Sequence, residues 1–171
     1  MLAGLERFEA EQWVAAERER VFRFFADPRN LPLISPPSSG ARLVRVELVP
    51  PPGAGMEGFA GAGSLIEISA RVIPYFPLRV RWTARILEFD YGNSFTDEQE
   101  RGPFRRWLHT HSFRDETRAG RAGTVVRDEV NYEIGFGPLE PLVNAIAVRV
   151  MLRRMFAHRQ RATERNFSSS S

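Results

Sequence analysis

Hydrophobic and polar positions alternate along much of this chain, and a period of two marks a strand with one buried face. Phe8 to Ala15 begins the pattern, with Phe8, Ala10, Gln12 and Val14 on one side and Glu9, Glu11 and Trp13 on the other. It returns from Ala41 to Val49, Ser64 to Ile73, Leu78 to Phe89, Asn93 to Glu100, Phe104 to Asp115 and Gly123 to Ile134. Arg101-Gly102-Pro103 and Ala119 to Ala122 supply turns between the later stretches, and the proline- and glycine-rich run Pro50 to Gly63 supplies a loop. Half-polar strands joined in series predict an antiparallel sheet with one wet face.

Helical spacing replaces alternation in a few places. Val21, Phe22, Phe24 and Phe25 form an apolar stripe within Glu17 to Asp27, Glu17 and Glu19 suit the positive end of a helix dipole, and Pro28 stops the run. Asn30 to Pro37 predicts a second short helical turn with Leu31, Leu33 and Ile34 inward. Pro138 to Asn166 predicts one long helix, with Pro141 tolerated in its first turn. Turned at roughly 100° per residue, it aligns Pro141, Ala145, Val148, Leu152, Met155 and Phe156, with Arg159 following on the same stripe. Leu142, Val143, Ile146, Ala147 and Val150 lie on its other sides, so its first half must be covered more than once or offer an apolar patch. The expected order is a strand, two short helices, six strands in a meander and a long helix. That is an α+β single domain over residues 1–167, with 168–171 as a frayed tail.

Composition narrows the chemistry. The 171 residues suit one domain, and the absence of cysteine removes disulfides, thiolate metal sites and thiol nucleophiles together. No apolar run reaches about 18 residues, the membrane-spanning minimum, and Met1 to Glu11 lacks the apolar core of a signal peptide, so a cytoplasmic location is expected. The pI of 10.1 exaggerates a net charge of only +3, because every basic residue is arginine. No specific nucleic-acid partner is therefore expected, and no cofactor is assigned.

Parity assigns the inner face. Trp107, His109, His111 and Phe113 share one side of their strand, Val126, Asp128, Val130, Tyr132 and Ile134 share one side of the last strand, and Phe95, Asp97 and Gln99 are aligned on the strand before them. Asp97, Gln99, His109, His111 and Asp128 thus form a polar cluster inside an apolar wall, and a buried carboxylate demands partners. Three readings stand: a self-satisfied network that fixes strand register, a set of groups orienting a ligand, or a catalytic or metal-binding cluster. No metal is committed to, because His-x-His with a carboxylate recurs by chance and His158 lies far off on the last helix. Arg159 is expected to pair with a buried acid, Asp128, or else with an anionic ligand group. Gly53-Ala54-Gly55-Met56-Glu57-Gly58 spells G-x-G-x-x-G, yet no helix opens there, so it is read as a loop.

Three stretches resemble the START-like superfamily, also called SRPBCC, which includes Bet v 1-type proteins and polyketide cyclase/dehydrase and lipid-transport proteins. They are Val21-Phe22-x-Phe24-Phe25-x-Asp27-Pro28-x-Asn30-Leu31, then Phe95-x-Asp97-x-Gln99-x-x-Gly102-Pro103-Phe104-x-x-Trp107-x-His109-x-His111-x-Phe113, and Gly123-Thr124-x-x-x-Asp128-x-Val130-x-Tyr132 with Phe156-x-x-Arg159 after it. The second and third are similar to a bacterial ligand-binding subgroup, and the likeness runs from Phe8 to Phe167. It implies a helix-grip fold, a curved antiparallel sheet of about seven strands wrapped around the long C-terminal helix. It also implies a cavity for an apolar small molecule such as a lipid, polyketide or quinone.

The ligand-binding residues expected from strand parity and the stripe of the long helix are Trp82, Phe95, Asp97, Gln99, Trp107, His109, His111, Asp128, Tyr132, Val148, Leu152, Met155 and Arg159. One alternative is a cyclase or dehydratase using His109 or His111 as general base with Asp128 orienting it. Another is an interaction module that offers Arg149, Arg153, Arg154, Arg161 and Arg165 to protein, a membrane surface or RNA. Whether the chain is a monomer or a homodimer is left open.

Overall fold

The computed structural model describes residues 5–53, 55–71, 78–135 and 144–168, with the backbone alone at Ala145. In chain order the elements are β1 (Glu6–Val14), α1 (Arg18–Ala26), two 3₁₀ turns (Pro28–Ile34 and Pro37–Ser39), β2 (Arg42–Glu47), β3 (Leu65–Ala70), β4 (Val80–Asp90), β5 (Ser94–Arg101), β6 (Arg106–Arg118) and β7 (Arg121–Glu133). A wide π-type turn, Asn144–Val148, leads into the terminal helix α2 (Arg149–Ser168). The strands form one antiparallel sheet in the order β1-β7-β6-β5-β4-β3-β2. Strands β2 to β7 pair in sequence, and β1 closes the far edge against β7.

Each element follows from local chemistry. Alternation on β6 buries Trp107, His109, His111 and Phe113 and leaves Leu108, Thr110 and Ser112 half-buried and Arg114 exposed. The α1 stripe buries Val21 and Phe22, and the Phe22 ring meets Phe89, Tyr91, Phe95 and Phe113 edge-on at 5.2–6.0 Å. Asp27 ends α1 and opens the next turn by accepting from Arg29 N at 2.9 Å. On the wet face of β1 and β7, Arg7 reaches Glu9 and Glu129, and Arg127 reaches Glu9. Such exposed pairs are individually worth little.

Element boundaries depart from the pattern in two places. The β6–β7 ladder continues to Arg118↔Arg121, closed by the two-residue turn Ala119-Gly120 with φ of +48° and +77°. Alternation ends near Asp115 because the residues beyond it are polar on both faces. Pairing and a left-handed turn extend the hairpin where hydrophobicity carries no signal. At the other end, α2 reaches Ser168, whose Oγ donates to the Glu164 carbonyl at 2.7 Å. Phe167 anchors this last turn against Phe24, at 5.3 Å between ring centroids. Val72, Ile73 and the helix start expected at Pro138 to Val143 lie outside the described residues.

Gly123 marks a close approach. A Cβ there would stand 2.5 Å from the Trp13 ring and 2.6 Å from the Val14 carbonyl oxygen. Trp13 cannot swing away freely, because its Nε1 donates to the Glu116 carbonyl at 2.9 Å. Gly123→Ala is expected to cost about 2–3 kcal/mol by overpacking. Thermal unfolding would register this as a lower Tm, and an unchanged Tm would contradict the tight packing of Trp13 on β7.

Candidate functional site

Pairing of β5, β6 and β7 brings four polar side chains to one place. Asp97 lies opposite His109 across β5 and β6, and His111 lies opposite Asp128 across β6 and β7. The His-Thr-His spacing puts both imidazoles on the inner face, with ring centroids 4.0 Å apart. His109 Nε2 is 3.0 Å from Asp128 Oδ1, and its Nδ1 is 3.6 Å from Asp97 Oδ2. His111 Nδ1 is 2.7 Å from the same Asp128 oxygen. That contact has ion-pair distance but not hydrogen-bond direction, so Nδ1 of His111 is buried without a hydrogen bond. His109, His111 and Asp128 are 5%, 6% and 3% exposed, whereas the Asp97 side chain is 15% exposed. Water therefore has its nearest approach on the Asp97 side.

Burial sets the charge states. It lowers the pKa of both imidazoles below the usual histidine value, and the neighbouring His111 lowers that of His109 further. Burial alone would raise Asp128, but His111 and His109 outweigh it and hold this carboxyl far below its ordinary range. Asp97 is raised by burial, against opposing pulls from His109 and Arg159. An ionised Asp128 can only accept, so His109 turns its Nε2–H toward it, while Nδ1 of His111 faces it without the direction of a hydrogen bond. The His109 lone pair then sits on Nδ1, which faces Asp97.

The tetrad separates two apolar clusters. On one side are Phe22, Phe95, Phe113, Val126 and Phe167, with Phe95 4.5 Å and Phe25 5.8 Å from the His111 ring. On the other are Phe104, Trp107, Tyr132, Leu152 and Phe156, with Phe156 5.7 Å from the His109 ring. Trp82 meets Trp107 edge-on at 4.8 Å, and Trp82, Val148, Met151 and Met155 pack against this second cluster while staying half-exposed. Tyr132 donates its hydroxyl to Asn144 Oδ1 at 2.6 Å, which ties β7 to the turn before α2.

The residues expected to form the site thus divide. Asp97, His109, His111 and Asp128 meet. Trp82, Trp107, Tyr132, Val148, Leu152 and Met155 gather on one flank, and Phe95 stands on the other. Gln99 does not join them: it binds the backbone of Phe104 from both ends, Nε2 to the carbonyl at 2.6 Å and Oε1 from the amide at 3.3 Å. The β5–β6 connection takes it because that bend leaves backbone polar groups in need of partners. Arg159 does not pair with Asp128, which the histidines already occupy. Its guanidinium lies over the Phe156 ring at 5.2 Å and acts electrostatically on Asp97 and His111. Phe156 and Phe25, which touch the histidines, were not among the expected site residues. The Phe156 position on the inward stripe and the Val21-Phe22-x-Phe24-Phe25 run were the signals that could have found them.

Two recesses are described, of about 380 Å³ beside Arg23, Phe59 and Phe167 and about 500 Å³ beside Trp13, Arg121 and Phe167. Neither is lined by an expected site residue. Among the described residues, no helix is long and apolar enough to cross a membrane.

Residues 14–158 match the family described as polyketide cyclase/dehydrase and lipid transport. No curated protein matches the chain. Among solved structures, TTHA0849 from Thermus thermophilus is 20% identical with a TM-score of 0.68, covering 97% of this chain and 99% of that one. The major latex-like protein 151 from Panax ginseng is 12% identical with a TM-score of 0.65, covering 95% and 97%. A point mutant of norcoclaurine synthase from Thalictrum flavum, in complex with a transition-state analogue, is 14% identical with a TM-score of 0.63, covering 97% and 96%. At these identities the structures establish the shared fold. With a family match over most of its length and a sheet gripping its last helix, the chain belongs to the polyketide cyclase/dehydrase and lipid transport family, on a Bet v 1-like helix-grip scaffold whose members bind hydrophobic ligands or act as cyclases.

Proposed function

We propose that this chain binds an apolar small molecule between the sheet and α2, with the polar tetrad orienting its polar end. The observation that carries the reading is the half-exposed apolar rim of Trp82, Val148, Met151 and Met155. It is packed on buried aromatics and leads toward the only cluster of four buried or nearly buried titratable groups among the described residues. A binding site of this class is mostly apolar with a few convergent polar groups. The aromatic rings that fill the interior must part for a ligand to enter, and the half-exposed methionines are the side chains best able to yield.

Native mass spectrometry of protein purified from cells should show one bound lipid-like mass per chain. Titration of the purified protein with a fatty acid, a quinone and an aromatic polyketide should change tryptophan fluorescence through Trp82 and Trp107. Met155→Arg, which places a charge at the rim without touching the tetrad, should weaken that binding at least about tenfold while leaving the fold intact. Absence of one-to-one binding in both experiments would remove the proposal.

A second reading, cyclase- or dehydratase-type chemistry, draws on one feature: the neutral His109, held by Asp128 through Nε2, keeps a lone pair on Nδ1. A base oriented by a carboxylate is the arrangement general-base catalysis uses. Conversion of a bound polyketide to a product of altered mass would favour it, and release of the ligand unchanged would count against it.

A further inference from the structure

The polar tetrad is incomplete as a hydrogen-bonded network. His109 Nδ1 and Asp97 Oδ2 stand 3.6 Å apart, too far for a hydrogen bond. His111 Nδ1 is buried and unbonded although Asp128 lies 2.7 Å away. Buried polar groups are ordinarily satisfied, so the wide His109–Asp97 gap and the unbonded His111 nitrogen mark a cluster that is not fully paired. One potential ligand atom from each of Asp97, His109 and His111 lies within 4.8 Å of the other two. Two ligands of a single first-row ion stand about 3–3.5 Å apart, so side-chain rotations of about 1 Å would gather the three. The same order of ring rotation would bring His111 Nδ1 onto Asp128.

We propose that Asp97, His109 and His111 bind one divalent first-row transition-metal ion, with Asp128 as the outer carboxylate that orients both imidazoles. Two observations agree on this. Nε2 of His109 and Nδ1 of His111 face Asp128, which leaves the other ring nitrogen of each for an ion, and the carboxylate–histidine–metal relay is the usual way a protein fixes ligand orientation. Two nitrogens and a carboxylate oxygen favour Zn²⁺, Co²⁺ or Fe²⁺ over Mg²⁺ or Ca²⁺. Three protein ligands leave a coordination position open on the more exposed, Asp97 side.

The ion shares the tetrad with the polar end of the proposed apolar ligand but does not depend on that ligand, and its binding is tested without any organic molecule. Metal-free full-length protein is titrated with Co²⁺, whose visible absorption reports coordination by nitrogen and oxygen, and bound zinc is quantified by elemental analysis. One ion per chain is expected. Asp97→Asn and His111→Gln should each weaken Co²⁺ binding by about 100-fold or more. Asp128→Asn should weaken it by about 10- to 100-fold through ligand orientation alone. His158→Gln, which changes the remaining histidine on α2, should leave it unaltered. If Asp128→Asn or His111→Gln fails to fold, Asp97→Asn decides, since its side chain is partly solvated and its metal-free stability can be checked by circular dichroism. Absence of stoichiometric Co²⁺ uptake by the parent protein, or undiminished uptake by Asp97→Asn, would overturn the assignment.

Discussion

Asp128→Ala will destabilise the fold by about 3 kcal/mol, the cost of leaving buried imidazole groups without their charged acceptor. For a domain of this size that is a fall in Tm on the order of 10 °C. Asp128 is 3% exposed, and one of its oxygens faces His109 at 3.0 Å and His111 at 2.7 Å. Its loss strands the His109 N–H and removes the carboxylate that faces His111, deep in the sheet interior. Asp97→Asn provides the contrast: its side chain is 15% exposed and sits 3.6 Å from His109, so it should shift Tm far less. Equal and small effects from the two substitutions would show that the sheet interior tolerates unpaired histidines and that Asp128 does not organise the tetrad.

Phe156→Ala is the second large effect, a loss of about 3–5 kcal/mol through transfer and cavity costs. Phe156 is 1% exposed and its ring meets Phe8 at 5.1 Å and His109 at 5.7 Å. It is therefore the side chain that joins α2 to both the edge strand and the polar tetrad. Urea unfolding should show a lower midpoint with little change in slope, as expected when stability falls without a change in exposed surface. A loss under about 1 kcal/mol would mean that the helix collapses into the gap, and that its docking rests on Leu152 and the tyrosine bond to Asn144 instead.

The tetrad was legible in the sequence because strand parity needs no coordinates. His109 and His111 share a face with Trp107 and Phe113, and Asp128 is the single acid on an otherwise apolar face. What parity cannot read is competition for partners. Gln99 lies on the inner face of β5 yet serves the backbone of Phe104, because a bend demands donors and acceptors that alternation does not encode. Arg159 lies on the inward stripe of α2, yet both histidines reach Asp128 first. The β6–β7 hairpin outruns its hydrophobic signal because Ala119-Gly120 can adopt the left-handed turn that continues the ladder. The contact of Phe156 with His109 depends on how α2 crosses the sheet, which helical spacing within α2 does not specify.

The placement of β1 has a kinetic consequence. Its hydrogen-bonding partner is β7, so that Val14 pairs with Thr124 and Glu6 with Tyr132, while every other strand bonds to its neighbour in sequence. During synthesis β1 leaves the ribosome first and has no partner until nearly the whole meander has followed it. Closure of so long a loop must precede any reward from this edge, so the final seam should form slowly. A nascent chain arrested before Arg121 should carry its first strand unpaired and available to chaperones or to the strands of another copy.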